Sequence, residues 1–262
     1  MRVENLSVRY TKESEEPLNP PRRGNGPETG VLTREELIRS NRELENFAFA
    51  ASHDLQEPLN VISLYLQILN RKYKGRLDDT ADENFSYILD RTERMKKLIQ
   101  SMLEYARAGN GNINLTKLDS RTVINQAIEN LKVTIEENSA QIQCEDCPVI
   151  LGDEIQLTRL FQNLINNALK FRKKEERPCI RISCVQQENQ WLFSITDNGI
   201  GIKQEHIEKI FDIFRRLHSQ SQYAGSGIGL ALCKRIVESH RGNIWAESEV
   251  GKGTAFYFHI PR

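Results

Sequence analysis

Apolar residues in the first half of the chain recur at the intervals of a long helix. Two neighbouring rows have members seven positions apart: Ala48, Leu55, Ile62 and Leu69, and beside them Leu44, Ala51, Pro58 and Tyr65. Thr33, with Glu36 at capping-box spacing, marks the start of the helical segment. Gly75 and an Asp-Asp-Thr cluster interrupt the pattern within residues 71–82. The spacing therefore predicts one uninterrupted helix from Thr33 to this turn.

A second helical pattern follows the turn, from about Ala81 to Ala108. Its apolar stripe is formed by Ile88, Met95 and Met102, by Phe85, Thr92, Ile99 and Ala106, and by Leu89 and Leu103. Two helices joined by a short turn form an antiparallel hairpin, and this stripe is too wide for one partner helix to cover. We expect two copies of the chain to bury the remainder in a dimeric four-helix bundle.

The period of the pattern changes after the Gly-Asn-Gly segment 109–111. Helices are predicted over 119–138, 153–172 and 227–240, and strands over 140–144, 149–151, 179–186, 191–198, 243–249 and 253–260. This order predicts an α/β sandwich, in which a mixed sheet carries helices on one face. We therefore expect a helical domain over 33–110 and an α/β domain over 111–262.

Composition narrows the class of protein. The chain has 262 residues with 39% hydrophobic and 27% charged content, which is ordinary for a globular protein. Lys plus Arg equal Asp plus Glu at 36 each, so no net field favours nucleic acid or an anionic membrane. We expect no membrane span and a cytoplasmic location, because the apolar runs are short. Four of the eight prolines fall within 4–30, which predicts a disordered linker over residues 1–32.

The five cysteines indicate free thiols in a reducing compartment. Their number is odd, and most lie in apolar strand or helix patterns. Cys144 and Cys147 form a lone C-x-x-C motif. Zinc is not expected there, because no second pair or histidine occurs at ligand spacing.

Candidate chemistry in the helical part falls on His53 and Asp54. A neutral imidazole nitrogen is available near pH 7, and the adjacent carboxylate can orient the ring and accept its proton, so the pair suits a nucleophile. Taken alone, the pair is more simply interpreted as solvated surface, because exposed His-Asp neighbours are common.

Three polar features mark the α/β part. Asn163, Asn167 and Lys170 share one helix face, where amide oxygens suit magnesium and a lysine suits phosphate. Asp197 follows a strand and precedes two glycines, an arrangement in which a buried carboxylate can accept a hydrogen bond from an adenine amino group. Each feature alone also fits a plain structural role, as a polar helix face or a strand-ending turn. The glycines are Gly199 and Gly201 after Asp197, and Gly225, Gly227 and Gly229 at the start of the helix of residues 227–240, whose free amides suit phosphate.

With these motifs in order, residues 35–262 resemble the core of a sensor histidine kinase, most closely the phytochrome type. The motifs are ASHDLQEPL, QNLINNALKF, DNGIGI, IFDIFRRLH and GSGIGLAL. The resemblance implies an α/β sandwich of the gyrase and histidine kinase type that uses ATP and Mg²⁺.

The same resemblance implies a role for each matching residue. His53 would be the phosphoacceptor and Asp54 its base. The nucleotide-binding positions fall on Asn163, Asn167, Lys170, Asp197, Gly199, Gly201, Arg216, Gly225, Gly227 and Gly229, of which Asn167 would also hold the metal. Glu57 departs from the family pattern, which often has threonine or asparagine there.

The implied activity is ATP-dependent phosphorylation of His53, followed by transfer to an aspartate of a response regulator. The implied partners are a second copy of the chain, a receiver domain and an upstream sensor, with no nucleic acid. Light sensing is not inferred. An alternative is a related ATP-hydrolysing clamp, but such relatives carry a glutamate at the place of Asn163 to activate water. A non-catalytic dimeric scaffold is disfavoured because the expected polar groups are present.

Overall fold

The computed structural model describes residues 34–108, 113–145, 147–217, 223 and 225–262, with the side chains of Ser52 and of residue 54 onward in those ranges. The segment predicted as a linker, residues 1–32, and the predicted N-cap Thr33 lie outside the described residues.

Two long antiparallel helices form the first part of the structure. Helix α1 spans Arg34–Tyr73 and helix α2 spans Asp79–Arg107. Gly75 takes a positive φ of 69° in the turn between them, a conformation that glycine adopts without strain. Asp78 then caps α2 by accepting a hydrogen bond from the Ala81 backbone N at 2.8 Å. The predicted hairpin is confirmed.

The inner face of the hairpin is partly polar. On α1 the described residues that are buried are Ser52, Leu59 and Ser63, none of which belongs to the two predicted rows. On α2 the row that contains Thr92 and Ile99 faces inward. Ser63 Oγ donates to Glu93 Oε1 at 3.1 Å, which satisfies a hydroxyl that the hairpin buries. The apolar pattern missed this face of α1 because two of its three residues are serines.

The outer face of the hairpin keeps an exposed apolar stripe. Leu55 is 53% exposed, Tyr65 62% and Met95 51%. Ile62, Leu69, Ile88 and Met102 are also exposed. These side chains belong to the predicted rows that α1 and α2 do not use against each other, so the stripe is wider than one hairpin covers, as the spacing predicted.

An α/β domain follows the hairpin. Its elements in chain order are β1 (Thr116–Asp119), α3 (Ser120–Asn130), α4 (Lys132–Glu137), β2 (Gln141–Cys144), β3 (Val149–Gly152), α5 (Glu154–Lys170), β4 (Cys179–Gln187), β5 (Gln190–Asp197), a 3₁₀ helix (Gln204–Lys209), α6 (Gly229–Ser239), β6 (Asn243–Glu249) and β7 (Gly253–Pro261).

The main sheet has five strands in the order β2-β4-β5-β7-β6. Strands β2 and β4 are parallel, and the other neighbours are antiparallel. Strands β1 and β3 form a separate antiparallel pair. The predicted α/β sandwich with a mixed sheet is therefore confirmed.

Three details differ from the sequence prediction. The helix predicted over 119–138 divides into α3 and α4 at Leu131, whose φ of −108° and ψ of 6° are not helical. Leu131 is packed in the core, so tertiary packing outweighs the local helical pattern there. Strand β1 was not predicted. Helix α6 begins at Gly229 rather than at residue 227, because Gly227 has a φ of 74° that a right-handed helix excludes.

The core lies between one face of the main sheet and helices α3, α5 and α6. Phe161 of α5 meets the rings of Phe193 and Phe258 edge-on, with centroids 5.8 and 5.6 Å apart. Phe193 and Phe258 stack on neighbouring strands at 5.1 Å. Such ring pairs add to the free energy of burial and favour one packing arrangement.

Two negative observations apply to the described residues. Within them, no helix is long and apolar enough to cross a membrane. The same part of the chain contains no group of three or more His, Cys, Asp or Glu side chains that could hold a metal ion.

A buried histidine links the end of α6 to the start of α5. His240 Nε2 accepts a hydrogen bond from the Asp153 backbone N at 3.0 Å, and His240 Nδ1 lies 2.8 Å from the Ile236 carbonyl oxygen. Because the carbonyl accepts only, Nδ1 carries the proton and the ring is neutral. Burial lowers the pKa of His240, and the Ile236 carbonyl opposes this change.

The lowered pKa of His240 predicts that the folded chain loses stability in mild acid. The unfolded chain binds the His240 proton more tightly than the folded chain, so stability present above the ordinary pKa of 6.5 is lost as pH falls through the lower folded pKa. Urea unfolding of the parent between pH 7.5 and 5 checks this. The His240→Asn variant, which cannot titrate there, should show a shallower dependence on pH. An equal slope in both proteins would contradict the prediction.

Candidate nucleotide site

A single cleft in the α/β domain gathers most of the residues singled out from the sequence. Helix α5, the turn after β5 and the segment before α6 form its walls. The predicted residues that line it are Asn163, Asn167, Lys170, Asp197, Gly201, Arg216, Gly225, Gly227 and Gly229. Gly199 lies beside it, in the turn after β5.

Helix α5 presents a polar face to the cleft because its other face is fixed in the core. Asp153 caps the helix by accepting from the Gln156 backbone N at 3.0 Å. The buried residues are Leu157, Leu160, Phe161, Leu164, Ile165, Ala168 and Leu169. Asn163, Asn167 and Lys170 occupy the remaining face by helical spacing, as the sequence predicted.

The Asn163 side chain has a defined orientation. Its Nδ2 donates to the Arg159 carbonyl oxygen at 2.9 Å, which leaves Oδ1 as the atom directed toward the segment before α6. A Cβ placed on Gly229 would lie 3.0 Å from this oxygen. Asn163 therefore offers an acceptor at the point where α6 begins.

Asp197 ends β5 at the bottom of the cleft. Its Oδ1 accepts from the Gly199 backbone N at 2.8 Å and from the Thr254 backbone N at 3.2 Å. Burial raises the pKa of Asp197, while these two N–H groups act in the opposite direction. One carboxylate oxygen is thus held by the backbone, and the group can present the other as an acceptor in a sheltered site.

Gly199 keeps space for this arrangement. A Cβ at position 199 would lie 2.6 Å from the Phe171 carbonyl oxygen and 2.7 Å from Asp197 Oδ1. Real side chains do not approach so closely, so a larger residue would displace the carboxylate or the end of α5. The need for glycine here comes from space, since the φ of Gly199 is not in the left-handed region.

Two positive groups also line the cleft. Lys170 is half-buried, and burial, with a smaller effect of the Arg216 charge, lowers its pKa. Arg216 Nη2 donates to the Tyr223 carbonyl oxygen at 3.0 Å, and the Tyr223 and Phe171 ring centroids are 5.0 Å apart. Two neighbouring cations that repel each other favour an anionic ligand between them.

Sequence reasoning missed several lining residues. Asn166 adjoins the predicted asparagines and belongs to the same run of amides, so its place in the cleft could have been predicted from the sequence. Thr254 and Phe256 lie on β7 and reach the cleft only because β7 pairs with β5, so no local pattern identified them. The others are Phe171, Ile200, Ile202, Ile210, Arg215, Leu217, Tyr223, Ser226 and Leu230.

The other two predicted site residues, His53 and Asp54, belong to α1. The His53 side chain lies outside the described part of the chain, and among the described side chains Asp54 is not in the lining of this cleft. A second cleft lies between the hairpin and residues of the first cleft. Its hairpin side is lined by Gln56 and Asn60 of α1 and by ten residues of α2 within 90–104, and its other side by Asn163, Asn166, Gly225 and Ser226. The hairpin therefore faces the part of the α/β domain that carries the first cleft.

Direct contacts also join the hairpin to the α/β domain. Arg159 Nη2 lies 3.3 Å from Glu104 Oε1, and the Arg235 guanidinium lies over the Tyr105 ring, 4.8 Å from its centroid. Ala108, at the end of α2, is part of the core of the α/β domain.

Two family models match the chain. Residues 43–111 match the His Kinase A (phospho-acceptor) domain, and residues 152–262 match the histidine kinase-, DNA gyrase B- and HSP90-like ATPase family. A phytochrome-like protein, Cph1 from Synechocystis sp., is 45% identical over 225 residues, or 86% of this chain. The chain contains the core of a sensor histidine kinase.

Other relatives extend this likeness. Cyanobacterial phytochrome A from Nostoc sp. is 44% identical over 86% of this chain, and the sensor protein kinase WalK from Staphylococcus haemolyticus is 31% identical over 88%. The matches span 30%, 29% and 38% of Cph1, phytochrome A and WalK, so this chain corresponds to less than half of each.

Solved structures share the fold of this kinase core. Full-length ShkA in complex with AMPPNP has a TM-score of 0.66 at 23% identity, covering 82% of this chain and 45% of that one. The histidine kinase ThkA in complex with the response regulator protein TrrA has a TM-score of 0.58 at 20% identity, covering 89% of this chain and 67% of that one.

The electrostatics of the cleft predict that Lys170 titrates at lower pH than an exposed lysine. NMR titration of the ¹³C-dimethylated chain would follow this amine, and Lys170→Arg would assign its resonance. A Lys170 midpoint at or above the ordinary lysine value of 10.5 would contradict the burial argument.

Proposed function

We propose that the chain is an ATP-dependent protein histidine kinase that phosphorylates His53 and passes the phosphoryl group to an aspartate of a response regulator. Residues 33–110 would form the dimerising phosphoacceptor domain and residues 111–262 the ATP-binding domain. The observation that carries the proposal is one cleft that combines a sheltered carboxylate, a row of amides and two cations, in a part of the α/β domain that faces the hairpin.

The groups that line the cleft suit the two ends of ATP. The Asp197 oxygen that the backbone leaves available would accept from the adenine amino group, because the buried setting removes competition from water. Lys170 and Arg216 would meet the phosphates at the other end. The similar protein ShkA was solved in complex with AMPPNP, which supports an adenine nucleotide as the ligand of this cleft.

The amide face of α5 suits Mg²⁺. Asn163 directs its Oδ1 toward the segment before α6, and Asn167 lies one helical turn further on the same face. Amide oxygens are suitable ligands for this hard cation, and we assign Asn167 as its protein ligand. When bound, Mg²⁺ neutralises charge on the phosphates.

His53 and Asp54 would supply the acceptor chemistry. The neutral imidazole of His53 attacks the γ-phosphorus in line, and Asp54 takes the proton from the other ring nitrogen. Asp54 is exposed on α1, which is compatible with a nucleotide domain that approaches from outside the hairpin. Positioning and charge neutralisation would supply most of the rate enhancement.

Further assembly is proposed from the hairpin. Its exposed apolar stripe would be buried against a second copy in a four-helix bundle, since such a stripe is costly to leave in water. A receiver domain would dock against the same hairpin near His53. The similar ThkA structure was solved with a response regulator protein, which supports this class of partner.

The ATP-driven clamp is a weaker candidate. That activity needs a base that activates water at position 163, and the amide of Asn163 has no such basicity. The Asn163 Nδ2 also donates to the Arg159 carbonyl oxygen, so this nitrogen is held in a hydrogen bond within α5 and takes no part in proton transfer.

Labelled ATP tests the kinase proposal directly. The parent should acquire label that is stable in base and lost in acid, as expected for phosphohistidine. His53→Gln should abolish the label and leave ATP affinity unchanged, because the nucleophile and the nucleotide cleft belong to different domains. His206→Gln, which changes a histidine outside the cleft lining, is the matched control and should retain labelling. Label that persists in His53→Gln would remove His53 from the mechanism.

The adenine assignment predicts a loss of affinity in Asp197→Asn. The amide can keep the oxygen that accepts from Gly199 and Thr254, but it presents an N–H donor where adenine also presents a donor. A lost hydrogen bond to a charged group lowers affinity by roughly 10- to 100-fold. Nucleotide titration measures this, with exposed Asp212→Asn as the control of equal chemistry. Equal affinity in both variants would refute the assignment.

A further inference from the structure

Two cysteines of the α/β domain are in direct contact although the kinase reaction makes no use of them. Cys144 ends β2, and Cys147 lies in the connection from β2 to β3. Their Sγ atoms are 3.2 Å apart, and both residues are only partly buried. The two thiols are thus close enough for a bond to form after a small rotation of either side chain, and reagents in solution can reach them.

The backbone around the pair is held from both sides. The Glu145 backbone N donates to the Ile182 carbonyl oxygen at 3.0 Å, which extends the pairing of β2 with β4. Beyond the pair, the Pro148 carbonyl oxygen accepts from the Ser120 backbone N at 3.1 Å and from Ser120 Oγ at 2.6 Å. These contacts keep the two sulfur atoms near each other in the folded chain.

Oxidation would remove the hydrogen bonds of the two thiols with little loss of free energy. Cys144 Sγ and Cys147 Sγ both donate to the Glu145 carbonyl oxygen, at 3.6 and 3.2 Å. The same oxygen accepts from Arg121 Nη2 at 2.8 Å. Arg121 therefore keeps this acceptor satisfied after the thiol protons are lost, so oxidation leaves no unpaired carbonyl.

We propose that Cys144 and Cys147 form a reversible dithiol–disulfide site that reacts with low-molecular-weight disulfides. One cysteine thiolate attacks the external disulfide, forming a mixed disulfide and releasing one external thiol. The second cysteine then attacks the protein sulfur of the mixed disulfide, forming the Cys144–Cys147 bond and releasing the second external thiol. The two cysteine protons end on the released thiols. The protein dithiol is oxidised and the external disulfide is reduced by two electrons.

Burial raises the pKa of Cys144 to about 12, and the neighbouring Cys147 contributes to this shift. The thiolate is the nucleophile in exchange, so the reaction of the pair should become faster as the pH rises.

A third thiol provides a competing pairing. Cys184 lies on β4, two residues beyond Ile182, which pairs with Cys144. Burial, with a smaller effect of Cys147, raises the pKa of Cys184 to about 12. The proposal names Cys144 as the partner of Cys147, so replacement of Cys184 must leave the disulfide intact.

Peptide mapping in glutathione buffers tests the site on the whole chain. Cys144 and Cys147 fall in one tryptic peptide, residues 133–159, which contains no other cysteine. After equilibration with oxidised glutathione and alkylation of free thiols, this peptide should be lighter by two hydrogen atoms than the dithiol and should resist alkylation. Excess reduced glutathione should restore the dithiol. The internal disulfide should exceed glutathione adducts of this peptide by at least about tenfold, because the second attack is intramolecular.

Three variants make the outcome decisive. Cys184→Ser should form the disulfide as the parent does. Cys144→Ser and Cys147→Ser should each instead accumulate a glutathione adduct on the remaining cysteine of the pair. Loss of the disulfide in Cys184→Ser, a dithiol that persists in excess oxidised glutathione, or one adduct on each cysteine of the parent would overturn the proposal.

Discussion

The packing of α5 against the sheet is the constraint on which the nucleotide cleft depends. Phe161 lies edge-on to Phe193 and Phe258, which fixes the rotation of the helix about its axis. Once that face is buried, the side chains on the opposite face of α5 must point away from the sheet. Asn163 and Asn167 therefore face the cleft because of what lies on the opposite side of the helix. A rotation of a few tens of degrees would bury the amides without partners, at a cost of several kcal/mol.

Much of this arrangement could be predicted, because the spacing of apolar residues indicates which face of a helix or strand is buried. Helical spacing grouped the two asparagines with Lys170, and strand alternation located the pair that contains Asp197. Periodicity carries no information about which strands become neighbours. The Thr254 backbone N donates to Asp197 Oδ1 across the β5–β7 pairing, although the two residues are 57 positions apart in the chain. Only the folded sheet reveals that contact. Ser52 and Ser63 were missed for a related reason, since a buried face made of hydroxyls has no apolar signal.

The ion pair between the hairpin and the α/β domain is weaker than the aromatic contacts inside that domain. Arg159 and Glu104 form an ion pair with side chains that are 47% and 23% exposed, and such a pair contributes at most about 1 kcal/mol. The aromatic core, by contrast, excludes water completely at Phe161 and Phe193. The aromatic core therefore holds the walls of the cleft in place. The hairpin is joined to this domain both by such weak polar contacts and by Ala108, which is buried in the core at the end of α2.

The position of β7 in the sheet has a consequence for how the protein is made. β7 follows the other four strands of its sheet in chain order, yet it lies between β5 and β6. Until the ribosome has released residues 253–261, β5 exposes one edge, and Phe193 lacks the ring on which it stacks. Contacts of such long sequence separation form late and slowly. The nascent domain therefore passes through a stage with an open sheet edge and a pocket that still lacks Thr254 and Phe256.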